Sequence, residues 1–409
     1  MDNLSPSEKT RMVTRETLIA GGDRLKQNAR FKLINLSLAT LMAALLGGLT
    51  GSELSAAPRQ STETYDDIWQ FANWYDNDEN PNVQSIAFSG RFQYEYANVN
   101  GDRNQGSHHE WNVRRLRLGV KTELFREFTL HLEGEFNPQE ADPFYMRLTD
   151  FYAGWSPSDS LELKFGKQGV SFTMDGQTSS KELLTIDRSN LANNMWFSQE
   201  YMPGISLSGD VSNWSYQVGA FSAGEKNREF GRFNGSIYTL VSLGYDFGQR
   251  LDVDEAVLTG NYIYQSPDVD NTFTRQLQHM TSINFSFEDG RWGFREDLSI
   301  ASGYLGQSDL WGVMTMPYVN VTSKLQLVAR HTYLNSEDPN GVLLARYEKS
   351  AVSGRGDRYN ELYVGANYYF YGHKLKLQSG LQFGAMNDTA NDGGEYSGVA
   401  FTTGLRVSW

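Results

Sequence analysis

Basic residues gather at two places in the chain where their spacing would let them bind an anion. Arg114, Arg115, Arg117 and Lys121 share one short segment, and Lys374 and Lys376 form a second group close to the end. A guanidinium presents a fixed fork of N–H donors that matches an oxyanion. The chemistry that these residues predict is therefore non-covalent anion binding, and the question becomes which elements position them.

Catalysis, metal binding and nucleic-acid binding find no support in the sequence. The chain has no cysteine, which removes thiolate metal sites and a cysteine nucleophile, and its six histidines are scattered. A formal charge of −13 opposes phosphate-backbone binding, which needs a basic face. We therefore expect no enzyme, no cofactor, no metal and no nucleic-acid partner.

From Val83 to Trp409 the chain repeats segments in which every second residue is apolar. In Ser85–Tyr96, for example, Phe88 and Phe92 alternate with Ser89 and Arg91. Sixteen such segments fit this stretch, at about 20 residues per strand and connection, which is the length that a tilted bilayer-crossing strand and a turn require. A mean hydropathy of −0.51 agrees with strands that show lipid on one face only.

The connections between these segments alternate between tight and long. Arg126-Glu127, Ser158-Asp159 and Asp289-Gly290 are tight, whereas residues 100–109, 173–203 and 337–356 are long. A barrel crossing the outer membrane has short turns on one side and loops on the other. The sequence therefore predicts an all-β fold, a sixteen-stranded antiparallel transmembrane β-barrel over residues 83–409, with both termini in the periplasm.

Two further segments precede the predicted barrel. Leu33–Leu49 is apolar, follows Lys26, Arg30 and Lys32, and leads to small residues near Ala56. This pattern predicts a signal peptide over residues 1–56 with a long polar n-region, although a single membrane anchor is the alternative. Residues 57–82 are predicted to form a periplasmic N-terminal segment.

Alternation also assigns charged residues to the barrel interior, in nearly equal numbers. The basic positions are Arg91, Arg115, Arg117, Lys121, Lys164, Arg295, Arg330, Lys374, Lys376 and Arg406, and the acidic ones are Glu95, Glu123, Glu133, Glu135, Asp150, Glu162, Asp246, Asp297 and Glu361. A balanced wall is typical of a general pore with cross-strand ion pairs. Local clustering of Arg91 with the Arg114–Lys121 group, and of Lys374 and Lys376 with Arg406, favours a weak anion preference instead.

Several stretches of the barrel resemble the phosphate-selective porin O/P family. They are Trp111–Val120, Leu148–Trp155, Lys164–Lys167 and Thr178–Ser189, the last being the most specific. The resemblance implies a homotrimeric sixteen-stranded porin whose third loop folds inward and narrows the lumen. Residues 173–203, the longest connection, are also the third long one.

The resemblance further implies which residues line the constriction. Strand arginines, an aspartate of the fourth strand, and paired serines and an arginine of the third loop have this role in the family. Here these roles fall on Arg91, Arg114 or Arg115, Asp150, Ser179, Ser180 and Arg188, with Lys181 in the same loop motif.

We therefore expect a porin: a water-filled channel in the outer membrane for passive diffusion of small hydrophilic solutes and ions such as phosphate. Its other partner would be outer-membrane lipid. The alternative is a non-conducting barrel that serves as an adhesin or a cell-wall tether.

Overall fold

The computed structural model describes residues 63–102, 105–195, 201–222, 229–230, 236–271 and 274–409. The predicted signal peptide over residues 1–56 lies outside the described residues, as do residues 57–62 of the predicted periplasmic segment.

Sixteen strands form one closed antiparallel sheet, as predicted. They are β2 (Val83–Gly101), β3 (Ser107–Leu124), β4 (Phe128–Phe136), β5 (Tyr145–Ser158), β6 (Leu161–Gly169), β7 (Tyr201–Val211), β8 (Trp214–Ser222), β9 (Ile237–Asp246), β10 (Glu255–Gln265), β11 (Leu277–Asp289), β12 (Trp292–Gly303), β13 (Leu310–Asn320), β14 (Leu325–Ser336), β17 (Arg358–Tyr371), β18 (Leu375–Asn387) and β19 (Tyr396–Ser408).

Closure occurs where the last strand pairs with the first. β19 and β2 run antiparallel, with Ser408 opposite Arg91 and Gly398 opposite Gly101. Each of the sixteen strands therefore has two neighbours, which leaves no open edge along this seam. The prediction of a sixteen-stranded barrel is confirmed.

Smaller elements lie outside the barrel wall or in the loops. The strands are β1 (Asn73–Asp76), β15 (Val342–Leu343) and β16 (Arg355–Gly356), and the helices are α1 (Glu63–Trp69), α2 (Met174–Gln177), α3 (Asn190–Met195), α4 (Gly248–Leu251) and α5 (Glu348–Ala351). None of the helices in the described residues is long and apolar enough to cross a bilayer.

Connections alternate between a short-turn end and a long-loop end. At the short-turn end, Ser212, Gly290 and Gly372 adopt positive φ values of 57°, 55° and 50°, which a tight reversal of the backbone requires. β2 begins at the short-turn side of the barrel, because Val83 pairs with Leu124 beside the turn between β3 and β4. β19 finishes on the same side, because Ser408 pairs with Arg91 near the beginning of β2.

The two faces of the wall differ as the alternation predicts. Along β9, Ile237, Val241 and Leu243 are exposed on the outside, whereas Tyr238 and Leu240 are buried inside. Phe165 on β6 is 70% exposed. An outward apolar band of this kind suits lipid contact.

Candidate functional site

A β-bulge in β3 turns two consecutive arginines toward the interior. Gln93 of β2 pairs with Arg115, but the next β2 residue, Tyr94, pairs with Val113, so Arg114 is the extra residue. Arg114 donates from Nε to Asp187 Oδ1 at 3.2 Å, and Arg115 donates from Nη1 to Gln93 Oε1 at 2.9 Å. Sequence alternation could not assign both residues to one face because it assumes an unbroken pleat.

The segment between β6 and β7 is hydrogen-bonded to this part of the wall. Ser180 accepts a hydrogen bond at Oγ from Arg91 Nη1 at 2.6 Å, and its carbonyl accepts one from Gln93 Nε2 at 2.9 Å. Ser179 uses its Oγ within the segment, as acceptor from the backbone N–H of Lys181. The structure thus joins two residues that the family resemblance had placed together, Arg91 and Ser180.

The same segment is bonded to strands on the other side of the seam. Its carbonyl groups accept from four strand side chains: Leu183 from Lys376, Leu184 from Asn367, Ile186 from Arg406, and Asp187 from Arg330, at 2.7 to 3.2 Å. A backbone N–H, that of Met174, donates to Asp297 on β12 at 2.6 Å. Residues 174–187 therefore contact inward-facing side chains from β2 round to β12.

Apolar side chains fix the remainder of this segment. Leu191 and Met195 of α3 are fully buried. They belong to a cluster with inward-facing residues of β9, β10, β13 and β14, namely Leu240, Ile263, Met314 and Leu334. These apolar contacts hold α3 against inward-facing residues of the wall at the long-loop end.

The connection between β14 and β17 also reaches the arginine group. Tyr347 donates its hydroxyl to Glu95 on β2, and Tyr359 on β17 donates to Glu348 at 2.8 Å. Asn190 of α3 donates to the carbonyl of Leu343 at 2.9 Å. The two connections are thereby bonded to each other as well as to the wall.

Positive charge outnumbers negative charge around Asp187. Burial raises the pKa of this carboxyl, but Arg114, Arg346, Arg406 and Arg115 outweigh burial and lower the pKa to about 2. Glu95 is the second carboxylate here, bonded to Arg406 and lying 4.0 Å from Arg114. Among the residues that the structure describes, four guanidinium groups thus surround these two carboxylates. The sequence motif contained Asp187 but assigned it no role, and nothing in the sequence indicated Arg346.

A second cluster of charged side chains, on β3, β4 and β5, has a net charge closer to zero. Glu135 accepts from Arg147 Nε at 2.7 Å and lies 3.4 Å from Arg117 Nε. Glu133 lies 3.5 Å from Arg91 and stands opposite Asp150 in the strand register. Asp150, the aspartate that the resemblance assigned to the constriction, therefore lies opposite another carboxylate. Arg147, which pairs with Glu135, was not among the residues predicted from the sequence.

The remaining predicted residues occupy several different environments. Arg188 donates to the carbonyl groups of Asp175 and Thr178, so at least two of its donors hold the segment itself. Lys181 donates from Nζ to the carbonyl of Trp409 at 2.8 Å. Lys376 is fully buried, whereas Lys121 is 46% exposed and lies 3.8 Å from Glu123.

Lys374 marks the boundary between a turn and a strand. It lies in the turn between β17 and β18 rather than on a strand, because its N–H donates to the carbonyl of Tyr371 across Gly372. Its ammonium group lies 5.4 Å from the centre of the Tyr371 ring. Lys374 therefore directly precedes the strand to which the alternation assigned it, and its predicted position on the inner face stays a prediction.

Comparisons with known proteins agree with this architecture. A sequence profile of the family of phosphate-selective porins O and P matches residues 86–239, which confirms the resemblance seen in the sequence. No curated protein matches the chain in sequence.

Three solved structures illustrate the similarity in fold. An anion-selective porin from Comamonas acidovorans has 14% identity and a TM-score of 0.59, covering 80% of this chain and 99% of that one. OprB of Pseudomonas putida has 11% identity and a TM-score of 0.58, covering 88% and 100%. OmpT of Vibrio cholerae, in its trimer form, has 15% identity and a TM-score of 0.50, covering 80% and 99%. At these identities the similarity shows the fold.

Proposed function

Starting from this similarity to porins O and P, we propose that the protein is a water-filled outer-membrane channel for small hydrophilic solutes and ions, with a preference for anions. The family match and the closed barrel support an outer-membrane channel. The anion preference goes further and depends on the charges inside.

One observation carries the anion preference: the four guanidinium groups around Asp187 and Glu95. Within this group Arg114 and Asp187 are partly exposed, at 20% and 22% of their side chains, and Arg346 is exposed, whereas Arg115, Arg406 and Glu95 are buried. Arginine fits oxyanions better than a point charge does, because its donors form a planar fork. The surplus of positive charge at a solvent-accessible position favours anions over cations there.

Residues 173–195 are proposed to be the inward-folded third loop that narrows the channel. Their bonds to Arg91, Arg330, Lys376 and Asp297 support this role, because those side chains come from well-separated strands of one wall. In this proposal the buried pair of Ser180 and Arg91 holds the loop against β2. Phosphate is the solute that the family resemblance suggests.

Two expectations about the assembly accompany this proposal. Both termini would lie in the periplasm, since β2 begins and β19 ends at the short-turn end. A homotrimer is supported by the trimer form of the similar OmpT structure. The mass of the detergent-purified protein would test the trimer.

Single-channel recording tests the proposed function. In a KCl gradient across a planar bilayer we expect conductance steps and a reversal potential of anion-selective sign. A cation-selective reversal potential would refute the anion preference. Liposome swelling with phosphate, sulfate and neutral sugars then ranks the solutes.

The second candidate is a non-conducting barrel that acts as an adhesin or cell-wall tether. The apolar cluster of α3 with inner-wall residues favours this candidate, since it covers part of the inner wall. Porin-sized conductance steps would exclude it, whereas a silent bilayer containing folded protein would support it.

A further inference from the structure

The N-terminal brace, defined as residues 63–76, lies against the barrel at its short-turn end. Its last part, β1, pairs antiparallel with the beginning of β2, where Tyr75 stands opposite Ile86 and Asp76 opposite Ser85. β19 and the following Trp409 pair with β2 only from Gly90 onward. The brace thus continues the sheet beyond the end of β19 and covers backbone groups of β2 that the last strand leaves unpaired, which would be costly in lipid.

Aromatic side chains attach the helical part of the brace across the seam. The rings of Tyr65 and Trp69 lie 5.4 Å and 5.1 Å from the ring of Tyr371 at the end of β17. Trp69 donates from its indole N–H to the carbonyl of Ser408 at 2.7 Å. The helix α1 is therefore fixed to the ends of β17 and β19.

The second part of the brace packs on the outer, lipid-facing wall. Trp74 is stacked on Phe88, with ring centres 5.4 Å apart and planes at 7°, and Phe71 lies 5.8 Å from the ring of Trp409. Phe88 alternates along β2 with the buried, inward-facing Arg91, so its own side chain points outward. The brace extends the outward aromatic row of the barrel.

Three apolar side chains of the brace remain exposed after these contacts. Ile68 is 52% exposed, Phe71 50% and Trp74 58%. The rings of Phe71 and Trp74 are continuous with the outward-facing ring of Phe88, whereas Asp67, next to Ile68, is acidic and also exposed. Large aromatic side chains at the end of a membrane-spanning wall are typical of the interface between headgroups and acyl chains.

We propose that the brace is a membrane-interface anchor, whose partner is the lipid leaflet at the short-turn end of the barrel. Ile68, Phe71 and Trp74 insert into the boundary between headgroups and acyl chains, as the apolar face of an interfacial amphipathic segment does. This anchoring holds the segment across the seam between the first and last strands. It is independent of whether the barrel conducts.

The absence of cysteine from the chain makes the anchor directly testable. Single cysteines replace Phe71, Trp74 or Asp67, each carrying a nitroxide, in the full-length protein reconstituted in phosphatidylethanolamine and phosphatidylglycerol vesicles. Collision rates with oxygen, which partitions into lipid, and with a water-soluble nickel chelate measure depth. Phe165→Cys on the outer wall and Asp78→Cys in the exposed connection after β1 give the lipid and water references.

The expected result is a several-fold higher oxygen-to-nickel ratio for Phe71→Cys and Trp74→Cys than for Asp67→Cys and Asp78→Cys. Equal ratios at all four positions would overturn the proposal. Shielding of Phe71→Cys and Trp74→Cys from both reagents would also overturn it, because that result indicates a protein partner.

A conservative variant whose folding can be checked separately gives a second test of the anchor. Trp74→Phe keeps an aromatic ring on Phe88, and its heat-modifiable migration in gels reports folding. Quenching of tryptophan fluorescence by lipids brominated near the headgroup should fall in this variant relative to the native protein. Unchanged quenching in folded Trp74→Phe would place Trp74 outside the lipid and refute the anchor.

Discussion

The ion pair between Arg114 and Asp187 allows the sharpest test of anion preference. At about 5 Å, one unit charge changes the energy of a monovalent ion by about 0.8 kcal/mol in a water-like dielectric and by about 3 kcal/mol at an effective value of 20. The effect has opposite signs for anions and cations, so even the lower figure changes the free-energy difference between them by about 1.7 kcal/mol, which shifts their permeability ratio roughly 17-fold. Screening over a Debye length of about 8 Å in physiological salt reduces this to an expected change of about three- to tenfold.

Opposite variants of this pair should shift selectivity in opposite directions. Arg114→Gln removes a positive charge and should lower the anion-to-cation permeability ratio, whereas Asp187→Asn removes a negative charge and should raise it. The double variant should return toward the native ratio, because the net charge of the group is then restored. Reversal potentials in a KCl gradient at low and high total salt measure all three, and the differences should shrink at high salt.

Two outcomes would refute this reasoning. If Asp187→Asn lowered the anion preference, the surplus of guanidinium groups would not set selectivity. If both single variants left the reversal potential unchanged while conductance persisted, ions would follow a path away from Arg114. Arg250→Gln is the matched control, because this exposed arginine lies in α4, in the connection between β9 and β10 at the short-turn end.

Three further expectations follow from other residues. Burial and the neighbouring Arg91 lower the pKa of Lys181 to about 8, so its positive charge is lost as pH rises from 7 to 9, and the anion preference measured by reversal potential should decline over this range. Burial, reinforced by Glu361, raises the pKa of Glu348 from 4.5 to about 7, so between these pH values the folded protein holds a proton that the unfolded chain releases. The free energy of unfolding should therefore fall as pH rises from 4.5 to 7. Glu348→Gln should remove this part of the pH dependence in thermal melts. Phe165→Arg on the lipid face should lower the free energy of unfolding in denaturant by about 2–4 kcal/mol if residue 165 lies near the bilayer midplane. Lys164→Arg on the inner face should change the free energy of unfolding little. Equal losses of stability in the two variants would contradict the assignment of faces.

The strands were predictable because the alternation of apolar and polar residues in each strand reflects what its two faces contact. Lipid outside and water or protein inside impose an alternation that ten residues suffice to reveal, as in β9, where Val241 and Leu243 are outward and Leu240 inward. Where the backbone departs from regular strand geometry, this alternation no longer predicts which face a residue lies on. The bulge at Arg114 places two neighbours on one face, and the turn at Gly372 removes Lys374 from its strand.

The loop contacts were harder to predict because their partners are distant in sequence. Arg346 acts on Asp187 from another connection, and Asn190 binds the carbonyl of Leu343. Part of the information was nevertheless present. Leu191 and Met195 are apolar residues in the longest connection, and such residues in a loop of a polar lumen indicate burial against the wall.

Counting inward-facing charges cannot decide selectivity, because many of them never meet an ion. Lys376, Glu95 and Glu361 are fully buried beneath the connections, whereas Arg114 and Asp187 each expose about a fifth of their side chains. Buried charges are held by hydrogen bonds and paired partners, so their fields largely cancel at the distance of a passing ion. A chain with a formal charge of −13 and a balanced inner wall can therefore still favour anions, since the sign of selectivity depends on the few charges that stay in contact with water.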